Sequence, residues 1–349
     1  MMKKLLTQIT LIFLFITCFQ QGYAQQTGNA GAYMTQISEN HRDITKDFLS
    51  YTSAVAHNKS ARKIENRRQK MMQTIQDAIK NIRNLKPYGE DASLRDSAVS
   101  YLKMTYIILN EDYGKIMDLE DVAEQSYDAM EAYMLAQEIA NEKIKEAQEN
   151  LNLTEKAFAA SHNVNLIESS DDKLSQKMEQ TGKVNRYHRE IYLIFFKSYK
   201  QELYLLDAIN EKNINAIEQN KNALLKYAQE GIDKIVKLQA FNADNSLLIA
   251  CKQLLEFHRD ECNKMSNITD YFIKDEEFHK LKKAFESKKA SDRTKEDVAK
   301  YNKAIEDLNK AVNVFNTTNN DLNNKRSKLI GNWNKASQNF LAKHTPKSR

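Results

Sequence analysis

His258 and Glu261 stand three residues apart, and so do Glu276 and His279. On a helix this spacing sets an imidazole and a carboxylate on one face, where the two can share a divalent metal. A di-metal centre in a helical bundle asks for two Glu-x-x-His pairs and two further carboxylates converging from four helices. The chain offers one Glu-x-x-His pair, Glu276 with His279, so the four residues stand as metal candidates only, and no metal or cofactor is assigned to them. The sequence contains no Gly-x-Ser-x-Gly elbow, glycine-rich phosphate loop, His-Glu-x-x-His or Cys-x-x-Cys. No catalytic residue is therefore nominated, and the chain reads as a non-enzyme.

Cys251 and Cys262 offer thiol chemistry only if they can meet. At ~1.5 Å per residue they lie ~16 Å apart on one expected helix, well beyond the ~7 Å that a disulfide tolerates. They read as buried thiols that pack as small hydrophobes. The third cysteine, Cys18, sits in a segment with the marks of a secretory signal. Lys3 and Lys4 form its positive end, residues 11–19 its apolar centre, and Gly22-Tyr23-Ala24 a small-residue cleavage site. A lipid anchor at Cys18 is disfavoured because Phe15-Ile16-Thr17 does not fit the residues that precede a lipidated cysteine. Beyond this segment the apolar run 191–196 is far short of the ~20 residues that span a bilayer. The mature chain is expected to be exported to the periplasm or the outer-membrane surface, soluble or peripheral.

Without Lys3 and Lys4 the 52 basic residues become 50, against 47 acidic ones, a net charge of +3. So small an excess argues against a nucleic-acid partner. An acidic run over 111–131 and a basic run over 280–295 read as solvated surfaces.

The elements that must position these residues are helices. Eight glycines and two prolines in 349 residues leave long stretches without a breaker, and apolar residues recur at helical spacing in Ile64, Met71, Ile75, Ile79 and Ile82 and again in Ile217, Leu224, Leu225, Ile232 and Ile235. Shifting the numbering by 153 lays 51–110 on 204–263 without a gap, pairing Tyr51 with Tyr204, Glu65 with Glu218, Asp91 with Asp244 and Leu102 with Leu255. The third helix of each copy needs another offset, with Leu153 placed on Leu329, and an insertion falls over 278–295. The last helix carries a seven-residue register from Val298 through Tyr301, Ile305, Leu308, Leu322, Leu329 and Trp333 to Phe340, with polar Asn319 and Arg326 at core-type positions. In the first copy, Ala129, Ala132, Ala136, Ala140 and Ala147 suggest a small-residue face for close helix approach. The expectation is an all-α chain of two tandem, internally duplicated bundles, about three long helices each, with coiled-coil-like packing. Its divisions are a signal at 1–24, a first repeat at 25–165, a linker at 166–182, a second repeat at 183–345 and a tail at 346–349.

The junction Gly22-Tyr23-Ala24-Gln25-Gln26 and the segment from Asn110-Glu111-Asp112-Tyr113 to Glu124-Gln125-Ser126-Tyr127-Asp128 resemble a family of exported helical surface proteins of Bacteroidetes and Leptospira. That resemblance implies an envelope location and carries no catalytic residues. The chain departs from secreted cargo of that group in lacking a C-terminal β-sandwich signal. Asp96-Ser97-Ala98 resembles the short acceptor used for O-glycosylation in such exported proteins, and His258-x-x-Glu261 resembles the Gly-x-His-x-x-Glu of imelysin-type proteins, except that Glu256 replaces the glycine. The reading is a non-enzymatic interaction or scaffold protein of the cell envelope, with an envelope protein or a second copy as partner. The alternatives are a membrane-active, pore-forming protein and a periplasmic metal- or small-ligand-binding protein.

Overall fold

The computed structural model describes residues 22–24, 29–112, 126–168 and 173–347. Most of the expected signal segment, with Cys18, and the centre of the acidic run lie outside them. Helices carry the chain: α1 (Asn29–Ala56), α2 (Ala61–Arg83), α3 (Ser93–Ile107), α4 (Tyr127–Ser161), α5 (Lys173–Asn210), α6 (Ile214–Ile235), α7 (Ser246–Ser287) and α8 (Lys295–His344). A π-helical turn, Ile108–Asp112, continues α3. The exception is a three-residue antiparallel ladder, β1 (Gly22–Ala24) with β2 (Leu166–Glu168). It places the expected cleavage junction in a strand where the sequence suggests no sheet.

The chain divides into two compact units, 1–189 with 338–349, and 190–337. Both boundaries fall inside long helices, α5 and α8. Helix α5 is already under way at Lys173 and runs through Gly182 to Asn210 without a break. The first unit regains the chain's end: Tyr187 stacks on Phe340 at 5.5 Å, and Lys177 Nζ donates to the Lys347 carbonyl at 2.9 Å.

The shift of 153 recurs in the burial. In α2 and α6, Met71, Ile75, Ala78 and Ile82 match Leu224, Ala228, Gly231 and Ile235 at a shift of 153, and all eight are buried. Each of these helices ends in a reversal closed by the same backbone pair, Tyr88 with Asp91 and Phe241 with Asp244. The next helix then opens with Asp91 Oδ1 accepting from Ser93 N at 2.8 Å, or Asp244 Oδ1 from Ser246 N at 3.0 Å. The aspartates therefore satisfy the first helical amides, while Ala92 and Asn245 at the formal cap positions contribute no side-chain bond.

Upstream of α2 and α6 the shift changes to 154. Helices α1 and α5 end at Ala56 and Asn210, and the left-handed residues that follow are Asn58 (φ 52°) and Lys212 (φ 53°). The first copy has one more residue in the turn than the second. Tyr51 is thus equivalent to Leu205, not to Tyr204: Tyr51 and Leu205 are 3% and 0% exposed, whereas Tyr204 is 38% exposed. The third helix also needs correction. Leu153, expected opposite Leu329, is exposed, and the buried face of α4 runs through Met130, Ile144, Leu151 and Phe158 rather than through Ala129, Ala132, Ala136 and Ala147, Ala140 lying outside the described side chains. Phe158 stacks on Tyr33 as Phe340 stacks on Tyr187, and each has a histidine one turn on, His162 or His344. A shift of 182 therefore relates α4 to α8 and sets Ile144 against Arg326.

From Ile273 to Lys310, the end of α7 and the start of α8, no residue is fully buried. The two helices of this arm are joined by Phe285 stacked on Tyr301 at 4.5 Å and by the Lys288–Asp297 ion pair at 2.7 Å, while i,i+4 pairs such as Lys280–Glu276 and Lys300–Glu296 lie within each helix. The heptad register is accordingly shallow at its start, with Val298 exposed, and deep from Leu322 onward.

Candidate functional site

Three helices of the second unit bring five polar side chains into its core. Helix α5 supplies Ser198 and Glu202, one turn apart on a face otherwise made of Tyr192, Phe195, Tyr199 and Leu205; α7 supplies His258 and Glu261; α8 supplies Arg326. Ser198, Glu202, His258 and Glu261 are each 0% exposed. Arg326 donates from Nε to Glu202 Oε1 at 2.7 Å and from Nη2 to Glu261 Oε1. His258 Nε2 lies 3.3 Å from Glu202 Oε2, and its Nδ1 shares a short hydrogen bond with the Ser198 hydroxyl.

Charge is distributed unevenly in this cluster. Burial alone would raise the pKa of Glu202, but the His258 ring and the Arg326 guanidinium outweigh it and hold the carboxyl well below its ordinary value. Glu261 goes the other way: burial and the neighbouring Glu202 charge raise it, and Arg326 offsets them only in part. Arg326 is shared by the two carboxylates and His258 faces Glu202, so Glu202 is kept ionised and Glu261 favours its proton.

The shifts that superpose the copies show what stands at these positions in the first unit. Ser198, Glu202, His258, Glu261 and Arg326 correspond to Ile44, Phe48, Thr105, Ile108 and Ile144, and these five are buried as well. The architecture is thus satisfied by apolar side chains and one threonine, and the charges are an addition peculiar to the second copy. A constant shift of 153 conceals this, because it sets Ser198 against Thr45 and Glu202 against Leu49.

The order Ser198–His258–Glu202 is that of a nucleophile, base and acid relay. A nucleophile must reach substrate, and Ser198 at 0% exposure does not. The metal candidates are separated. His258 and Glu261 are committed to Ser198, Glu202 and Arg326, while Glu276 and His279, about 27 Å further along α7, are exposed and pair with Lys280 and Asp275. Among the described residues, no group of three or more metal-ligating side chains is assembled.

Cys251 and Cys262 are both buried and free among the described residues. Desolvation raises the thiol pKa of Cys251, and raises that of Cys262 to about 12, so neither forms a thiolate readily. The apolar run 191–196 forms core: Phe195 stacks on Trp333 at 4.4 Å and Tyr192 on Phe196 at 5.5 Å. No described helix is long and apolar enough to cross a membrane. Ser97 is half-buried on α3 beside fully buried Ala98. No known protein family, curated protein or solved structure matches the chain.

Proposed function

We propose that this chain is an exported, non-enzymatic interaction or scaffold protein of a bacterial cell envelope, and that its second copy engages a partner through the arm at 273–310. The observation that carries this reading is the arm's lack of buried residues. Thirty-odd residues of helix without a core add little stability to the unit that bears them, because most helical stability comes from packing an amphipathic face. Such an extension is accounted for by what it meets. Exposed Ile273 and Val298 supply apolar contacts along it, and its many charges supply a polar rim. The charged core cluster has a supporting role, fixing one packing of α5, α7 and α8 at the base of the arm. Buried charges of this kind serve specificity better than stability.

The test is cross-linking in the native cell with the full chain and with a variant in which 276–310 is replaced by a short turn. Since the deletion removes no fully buried residue, the variant should melt close to the full chain. A partner captured by the full chain and lost with the shortened arm is the expected result. Equal capture by both, or recovery of the protein alone from both, contradicts the proposal.

A further inference from the structure

In the first unit, where α1 turns into α2, a cavity of about 310 Å³ is lined by Ser53, His57, Lys59, Lys63, Arg67 and Lys347, with Ala54 as an apolar wall. The turn at Asn58 places His57 and Lys59 beside the start of α2, where Lys63 and Arg67 stand one helical turn apart. Lys347 comes from the C-terminal segment, whose backbone Lys177 holds.

Lys59, Lys63, Arg67 and Lys347 make no ion pair with a carboxylate among the described residues. Asp47 and Glu65, on the same two helices, are paired with Lys70 and Arg68. Arg67 spends one guanidinium donor on the Ser50 carbonyl, which fixes its side chain and leaves other donors. The first turn of α2 contains no acidic residue, and the Ser60 side chain does not cap it, so the helix dipole adds to the positive potential. His57 Nδ1 lies 2.8 Å from the Ser53 carbonyl and so carries the proton as donor. Its Nε2 is thereby an acceptor in the neutral ring, and it is buried without a partner among the described residues.

The second copy is an internal control. Its residues equivalent to Ser53, His57, Lys59, Lys63 and Arg67 are Asp207, Glu211, Asn213, Ala216 and Asn220. The duplicated fold needs none of these cations, and the second copy places two acids there.

We propose that this cavity binds a phosphate-class oxyanion, either free or as the phosphoryl group of a small ester or lipid headgroup. Cations alone would take any anion. Among dianions, phosphate and phosphomonoester oxygens are more basic than those of sulfate and so accept more strongly from the lysine and arginine donors. The cavity is at the small end of the ~300–1,000 Å³ typical of ligand sites, with room for a phosphoryl group and a short organic residue.

Calorimetry on the full chain at low salt with inorganic phosphate, glycerol phosphate and sulfate tests this. Saturable binding of either phosphate ahead of sulfate is expected. Lys59→Ala and Lys63→Ala, both at exposed positions, should each weaken it about 5-fold, in line with a surface ion pair, whereas Lys280→Ala on the arm should not. Flotation with vesicles of phosphatidate or of phosphatidylcholine identifies the source, since a headgroup site retains the first vesicles and releases them when glycerol phosphate is added. The proposal is overturned by no saturable phosphate binding up to about 10 mM, by sulfate binding as tightly as phosphate, or by equal losses in Lys63→Ala and Lys280→Ala.

Discussion

Arg326 is the residue on which the second copy's core depends most. Replacing it with methionine leaves Glu202 and Glu261 buried without their cation, a loss of about 3–5 kcal/mol, read as a fall in the urea midpoint. Giving the second copy the first copy's residues, with Ser198→Ile, Glu202→Phe, His258→Thr, Glu261→Ile and Arg326→Ile together, should restore stability to near the starting value, because the first unit packs those types at the same places. If the fivefold variant is as unstable as Arg326→Met, the equivalence of the two cores is wrong. Gly231 shows packing at the same scale. A Cβ added there would stand 2.9 Å from Leu255 Cδ2 and 3.2 Å from Ile194 Cγ2, while one added at Gly331 would meet nothing within 4 Å. Gly231→Ala should therefore lower the melting temperature, its helix gain outweighed by roughly 1–3 kcal/mol of overpacking, and Gly331→Ala should raise stability by about 0.5–1 kcal/mol.

Among the elements, the reversal between α6 and α7 carries strain that its counterpart avoids. Asn242 at φ 48° stands where the first copy has Gly89 at φ 62°, and Ala243 at φ 63° is a second left-handed residue where the first copy has Glu90, which is not left-handed. Ala243→Gly should thus stabilise the second unit by about 1 kcal/mol, and an unchanged or lower melting temperature would contradict the assignment of strain. The helical periodicity, the aspartate-led starts of α3 and α7, and the duplication are all legible in the sequence, because they rest on residue types at fixed short spacing. Equivalence across turns is less so. One additional residue before α2 shifts every position of α1 and hides the pairing of Phe48 with Glu202, and the α4 face is misread because alanines attract attention where Met130, Ile144, Leu151 and Phe158 do the packing. Half of the charged cluster, His258 with Glu261, stands out by local spacing, and Arg326 by its place in a heptad. Ser198 and Glu202 do not, since their significance appears only when three helices meet. The cationic cavity escapes for the same reason, as Lys347 lies far along the chain from Lys63.

For the molecule as a whole, the two units should respond differently to acid. His41 and His188 belong to the first unit, and burial lowers the pKa of each from 6.5 to about 4. With folded values below unfolded ones, protons are taken up first by the unfolded chain. The stability these neutral rings permit is complete above pH 6.5 and falls as the pH drops toward 4, by up to about 3 kcal/mol for each ring. Glu202 in the second unit is depressed instead, so its contribution is lost only below the ordinary carboxylate range. Hydrogen exchange between pH 7 and pH 4 should show protection lost from α1 before α6. The functional account rests on the arm at 273–310, and site-specific photo-cross-linking in the native cell tests it most directly. A photoreactive residue at exposed Ile273 or Val298, with the still more exposed Leu153 on α4 as reference, should yield one discrete adduct from the arm and none from α4. Adducts from Leu153 alone, or from none of the three positions, would contradict the account.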